Sequence, residues 1–143
     1  MDLLTEKKTV EKITVKELCE RAELNRSTFY AHFNEPMDLY IEIENDILEA
    51  TANHLKWIGE GDDLTAHKFI VSFLEYIKNN DKQFRTLFVD ANTEFKSKFI
   101  QQSIIDIIGK FNVPLPKDIE QYVLSFVLNG SSGIIVQWIR SDY

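Results

Sequence analysis

The chain has 143 residues, 44% of them hydrophobic, with a formal net charge of −7. That length fits one ordinary domain or a small module fused to a larger one, and the apolar content excludes wholesale disorder. One cysteine, Cys19, excludes an intrachain disulfide, and only 5 Gly and 3 Pro favour helices over a turn-rich β fold. Residues 1–36 carry 6 Lys/Arg against 7 Asp/Glu, and residues 37–143 carry 10 against 16, so neither part is basic as nucleic-acid binders usually are.

The start, "MDLLTEKKTVEK", has no signal-peptide core, and no uninterrupted apolar run approaches the roughly 18–20 residues of a membrane span. These features predict a soluble, cytoplasmic protein with no membrane partner. Helical periodicity then dominates the chain. "ITVKELCERAEL" opens on a capping box, in which Thr14 accepts from the amide of Glu17 and Glu17 reaches back to Thr14. Val15, Leu18, Cys19 and Ala22 fall on one face of this two-turn helix, and packing is the ordinary role for such a cysteine.

A tight connection leads to a second short helix, predicted over Arg26 to Phe33 with Asn25 as N-cap. Phe29 and Phe33 share a face there, and the stretch "LNRSTFYAHF" contains no acid. A long helix is predicted from Pro36 to about Ile58, with Asn34 or Glu35 capping it. After the break "GEGDD" (59–63), further helices are expected at about 64–79, 82–89, 93–111 and 117–140. "NND" and "NVPLP" separate them. The last carries an apolar stripe at Ile119, Tyr122, Val123, Phe126, Gly130, Ile134 and Trp138.

Two short helices joined by a three-residue turn, the second rich in hydrogen-bonding groups, form the helix-turn-helix pattern, whose second helix enters the major groove. Base edges and phosphates call for donors and acceptors on that face, and acids there are repelled by the phosphates. Here the resemblance becomes specific. "ITVKELCERAELNRSTFYAHFNEPMDLY" resembles the DNA-binding segment of the TetR/AcrR family of bacterial regulators over about 28 residues without a gap.

The resemblance implies an all-α fold, with a helix-turn-helix DNA-binding domain over 1–45 and a C-terminal helical bundle over 46–143 for dimerisation and ligand binding. It also implies roles in double-stranded DNA binding. Thr14 would hold phosphate through its hydroxyl and the helix N-terminus. Asn25 would cap the recognition helix. Arg26, Ser27, Thr28 and Ala31 would face bases, with Tyr30 and His32 on phosphates. Val15, Leu18, Ala22, Leu24, Phe29 and Phe33 would form a small core.

Three departures from the family pattern stand out. The turn has Glu23 or Leu24 where glycine is common, Pro36 replaces a common lysine, and the first helix is about ten residues short. "MDLL" reads like that helix's second half, which leads to the expectation that residues precede Met1. The family's helix after the last one has no counterpart in the sequence, which stops at Tyr143.

The C-terminal part resembles the same family more loosely. "FLEYIKNNDKQFRTLF" and "FVLNGSSGIIVQWI" are similar to the branch that includes regulators of dihydroxyacetone kinase operons. A homodimer face is expected on the last helix at Tyr122, Phe126, Gly130, Ser131, Gly133 and Ile134. The alternative at its glycines is a tight crossing within the chain.

A small-molecule pocket would draw on Phe73, Phe88, Phe99 and Asn129, among other aromatics (Phe69, Phe84, Phe95, Phe126) and polar groups (His67, Asn92, Gln137). The competing reading is that the phenylalanines fill a core. "NGSSGI" lacks the G-x-S-x-G of a nucleophile elbow and there is no Gly-rich phosphate loop. His32, His54 and His67 have no His or Cys at ligand spacing, and Glu42 with Asp46 reads as a solvated face, so no enzyme, metal or cofactor is expected. Two readings follow. One is a dimeric transcription regulator on a near-palindromic operator, modulated by a small molecule or protein partner. The other is a co-regulator or protein-interaction module of the same fold that does not bind DNA.

Overall fold

A computed structural model describes residues 1–58, 65–90, 94–111 and 116–143. Among them every regular element is helical. A short helix, α1 (Asp2–Lys7), and a single 3-10 turn (Val10–Lys12) precede α2 (Val15–Ala22). α3 (Arg26–Tyr30) and α4 (Pro36–Ile58) follow. α5 (Ala66–Asn79), α6 (Asp81–Arg85), a π turn (Thr86–Asp90), α7 (Phe95–Phe111) and α8 (Glu120–Arg140) complete the chain.

Local chemistry sets most of these boundaries. The Thr14–Glu17 capping box forms as predicted: the Glu17 amide donates to Thr14 Oγ1 at 3.2 Å and the Thr14 amide to Glu17 Oε2 at 3.1 Å. Thr65 caps α5 by accepting from the Lys68 amide at 3.2 Å. At α4 the expected cap is inverted. Asp38, in the first turn, accepts from the Asn34 and Glu35 amides at 2.8 and 3.2 Å.

The helix expected over 82–89 is broken. α6 ends at Arg85, and Thr86 donates its hydroxyl to the Lys82 carbonyl at 2.8 Å as the backbone widens into the π turn. Between α5 and α6 only Asn80 lies outside a helix. The break at 59–63, most of "NVPLP", and Asn92 lie outside the described residues.

The core is one cluster. Phe69, Phe73, Phe84, Phe88, Phe95 and Phe99 pack with Leu55, Ile77, Leu87, Ile135 and Ile139, and Leu4 and Val10 from the start of the chain belong to the same cluster. Phe99 touches four other rings, with centroids 5.1 Å from Phe84, 5.2 Å from Phe88, 5.7 Å from Phe95 and 5.8 Å from Phe73. Edge-to-face contacts dominate, which suits the quadrupoles of the rings. α4 runs unbroken through residues 45 and 46, where the two expected domains divide. It joins the α1–α3 unit to the aromatic core as one rod. Buried Glu44 on α4 accepts from the Tyr40 hydroxyl one turn back and from Lys98 of α7 at 3.2 Å, so its charge is matched where water is excluded.

Candidate nucleic-acid interface

α2 packs on α3 through a three-residue turn, Glu23 to Asn25. Glu23 takes the left-handed conformation, φ 55° and ψ 37°, and its amide bonds to the Cys19 carbonyl. The position is the one glycine favours. Asn25 occupies the N-cap with extended backbone, but its side chain makes no cap bond. The first turn rests instead on its carbonyl, which accepts from Thr28 and Phe29.

α3 is shorter than predicted, ending at Tyr30. Bonds from Ala31 to Ser27 and from Phe33 to Phe29 carry the winding on to Phe33. Phe29 is buried, with Phe33 and Tyr30 around it at 5.5 and 5.6 Å between ring centroids. Ala22 and Leu24, expected in this small core, are exposed instead: Ala22 ends α2, and Leu24 lies in the turn after left-handed Glu23.

Arg26, Ser27, Thr28, Tyr30, Ala31 and His32 are all exposed on and just after α3, and Thr14 and Asn25 are exposed at the starts of α2 and α3. Seven of the predicted residues therefore gather at α3, with Thr14 apart at the head of α2. The cations nearby are engaged. Lys7 meets Glu17 at 2.6 Å, Arg21 meets Glu6 at 2.6 Å, and Lys16 lies 3.7 Å from Glu20. Hydrogen bonds from Lys7, and then from Thr14, hold the Glu17 carboxyl down at about 2. Among the described cations of residues 1–36, Arg26 and Lys12 have no such partner. Sequence reasoning passed over Lys12, although its place just before Thr14 was legible.

The other expected sites fall as follows. On α8, Tyr122 is 67% exposed, Phe126 80% and Ile134 69%, while Ile135 and Ile139 on the opposite side are buried. A Cβ on Gly130 or Gly133 would meet no atom within 4 Å, so no described neighbour crosses tightly at the glycines. Ser131 is half-buried. Phe73, Phe88 and Phe99 are buried ring against ring in the core, whereas Asn129 is exposed and donates to the Ser125 carbonyl at 2.7 Å. His67 and Gln137 are exposed as well.

An open groove of about 570 Å³ runs between α4 and α7, lined by Leu48, Glu49, Ala52, Lys98, Gln101, Gln102 and Ile105. The sequence did not indicate it. Among the described residues no three His, Cys, Asp or Glu side chains gather as metal ligands do. α8 is, among the described helices, long and apolar enough on average to cross a membrane, with a mean hydropathy of 1.3. No single apolar run accounts for this, since Ser125, Asn129, Ser131 and Ser132 interrupt it.

A helical body with an aromatic core is joined by one long helix, α4, to the short helices α2 and α3, and residues 24–33, which carry α3, include no acid. Residues 65–143, more than half of the chain, match the family model described as a transcriptional regulator C-terminal region, of TetR type. The chain belongs to the TetR family of transcriptional regulators. No curated protein and no solved structure matches it.

Proposed function

We propose that the protein is a homodimeric, DNA-binding transcription regulator in which α2 and α3 form a helix-turn-helix and α3 reads the major groove of a near-palindromic operator. One observation carries this reading: every hydrogen-bonding side chain of α3 faces solvent, and among the described residues Arg26 has no ion-pair partner, whereas Lys7, Lys16 and Arg21 each have one. A buried Phe29 fixes the helix from behind, so these groups are presented and not merely loose.

The dimer forms through α8. Its exposed Tyr122, Phe126 and Ile134 make an apolar strip beside glycines with open space above them, which lets a second backbone come close. Two copies of α3 then enter successive grooves about 34 Å apart. An effector or protein partner acting on the C-terminal body modulates the spacing, and the cell compartment is the cytoplasm. The likeness of residues 73–88 and 126–139 to regulators of dihydroxyacetone kinase operons supports a place in that branch.

Phosphate anchoring is sparse, because Lys7 and Arg21 are held by Glu17 and Glu6 and Lys16 lies beside Glu20. Affinity therefore falls only gently with salt. Selection of sheared genomic DNA at low and moderate salt tests the reading. A shared palindromic motif is expected, and Arg26→Ala should abolish its recovery at a cost of ~1–3 kcal/mol. The same pairing of cations favours a second reading, an interaction module that does not bind DNA. Absence of enrichment by the wild type decides for it, whereas recovery by Arg26→Ala equal to wild type discards the role given to Arg26.

A further inference from the structure

Two polar links join α1 to α6 and the π turn. Lys82 Nζ donates to Asp2 Oδ1 at 2.8 Å, and Thr5 Oγ1 lies 2.9 Å from Thr86 Oγ1. The first is exposed on both sides and contributes little. The second is different, because Thr86 is only 2% exposed. Its direction follows from counting protons. Thr86 has one hydroxyl hydrogen, already donated to the Lys82 carbonyl at 2.8 Å. Thr5 must therefore be the donor, and the chain reads Thr5 O–H to Thr86 O–H to the Lys82 carbonyl. Displacing either helix leaves Thr86 its bond to the Lys82 carbonyl but takes away the bond its buried oxygen accepts, which ties the position of α1 to that of Thr86.

The element on the receiving side has a near alternative. A π turn closes its hydrogen bonds one residue further along the chain than an α-helix does, and slipping back to α register moves its side chains around the axis. Phe88 sits inside this turn and packs on Phe84, Phe95 and Phe99 at 5.6, 5.9 and 5.2 Å. On the other side, α1 is tied to α2 by the Lys7–Glu17 and Glu6–Arg21 pairs. Aromatic core, π turn, threonine pair, α1 and α2 thus touch in unbroken order.

We propose that the π turn and the Thr5–Thr86 pair form a conformational relay: packing around Phe88 sets the position of Thr86, and Thr5 passes that setting to the α1–α3 unit. What the relay regulates rests on the DNA-reading function above; its existence does not. An effector that alters the aromatic packing changes the ordering of α3 only by favouring one register of the turn over the other.

Hydrogen exchange on the full chain tests this. Phe88→Leu should speed exchange in α7 and, through the relay, raise exchange of the α2–α3 amides by about fivefold or more. In a Thr5→Val background the same substitution should still loosen α7 yet add nothing in α2–α3. Thr5→Ser, which keeps the donor, should restore transmission. Val89→Ala in the same turn gives a second, milder perturbation should Phe88→Leu fail to fold. An α2–α3 response that is the same in the wild-type and Thr5→Val backgrounds overturns the relay, as does no response while α7 loosens. Affinity for the selected DNA separates the two ideas: Thr5→Val should weaken it about fivefold. A wild type that retains no DNA ends the DNA-reading function and leaves the exchange result standing.

Discussion

Glu23→Gly should stabilise the protein. Glu23 sits at φ 55° and ψ 37°, where a Cβ crowds the following carbonyl at roughly 1–2 kcal/mol. Glycine removes that crowding, but the freer unfolded chain takes back about 0.4–1 kcal/mol. The side chain makes no hydrogen bond or ion pair, and the bonds from the Glu23 and Leu24 amides to the Cys19 carbonyl are backbone bonds that survive the change. A net gain of about 0.5–1 kcal/mol remains, a rise in melting temperature of about 2–4 °C for a chain of this size. Urea and thermal unfolding followed by circular dichroism measure it. Glu23→Ala is the control, since it deletes the carboxylate and keeps the Cβ; it should stay within about 0.5 kcal/mol of wild type. Equal effects of Gly and Ala would refute the reasoning, because the gain would then come from charge and not from the backbone.

Phe126→Asp should yield a folded monomer by sedimentation, since that side chain is exposed within one chain; a persistent dimer would place the contact elsewhere. Phe99→Ala removes a fully buried ring against four others and should cost about 3–5 kcal/mol in urea unfolding. Glu17 is held down at about 2, below its ordinary 4.5, so its contribution is fully present above pH 4.5 and is lost as pH falls through about 2. Glu17→Gln should flatten that part of the stability profile, and an unchanged acid limb would show that the contacts of Glu17 with Lys7 and Thr14 do not persist in solution.

Features fixed by neighbours in sequence were legible. The Thr14–Glu17 box spans one turn, Pro36 starts α4 where proline is tolerated, and the stripe of α8 follows helical spacing. The exposed set on α3 was legible for the same reason. Features fixed by distant partners were not. The π turn involves Thr86, whose other partner, Thr5, lies 81 residues away. The neutralised cations depend on pairs 10 and 15 residues apart that only the fold brings together. The phenylalanines at 73, 88 and 99 show helical spacing whether they line a cavity or fill a core, and only their ring-to-ring contacts reveal how they pack.

Cys19, the single thiol of the chain, is buried on α2 directly behind the turn that leads to α3. A thiol shielded in this way reacts with an alkylating reagent only when its surroundings open. Its modification rate in the unaltered protein is therefore a clock for opening of the α2–α3 unit, with no label or mutation added. Set beside the global unfolding rate, the clock tells whether that unit breathes on its own or only when the whole molecule comes apart.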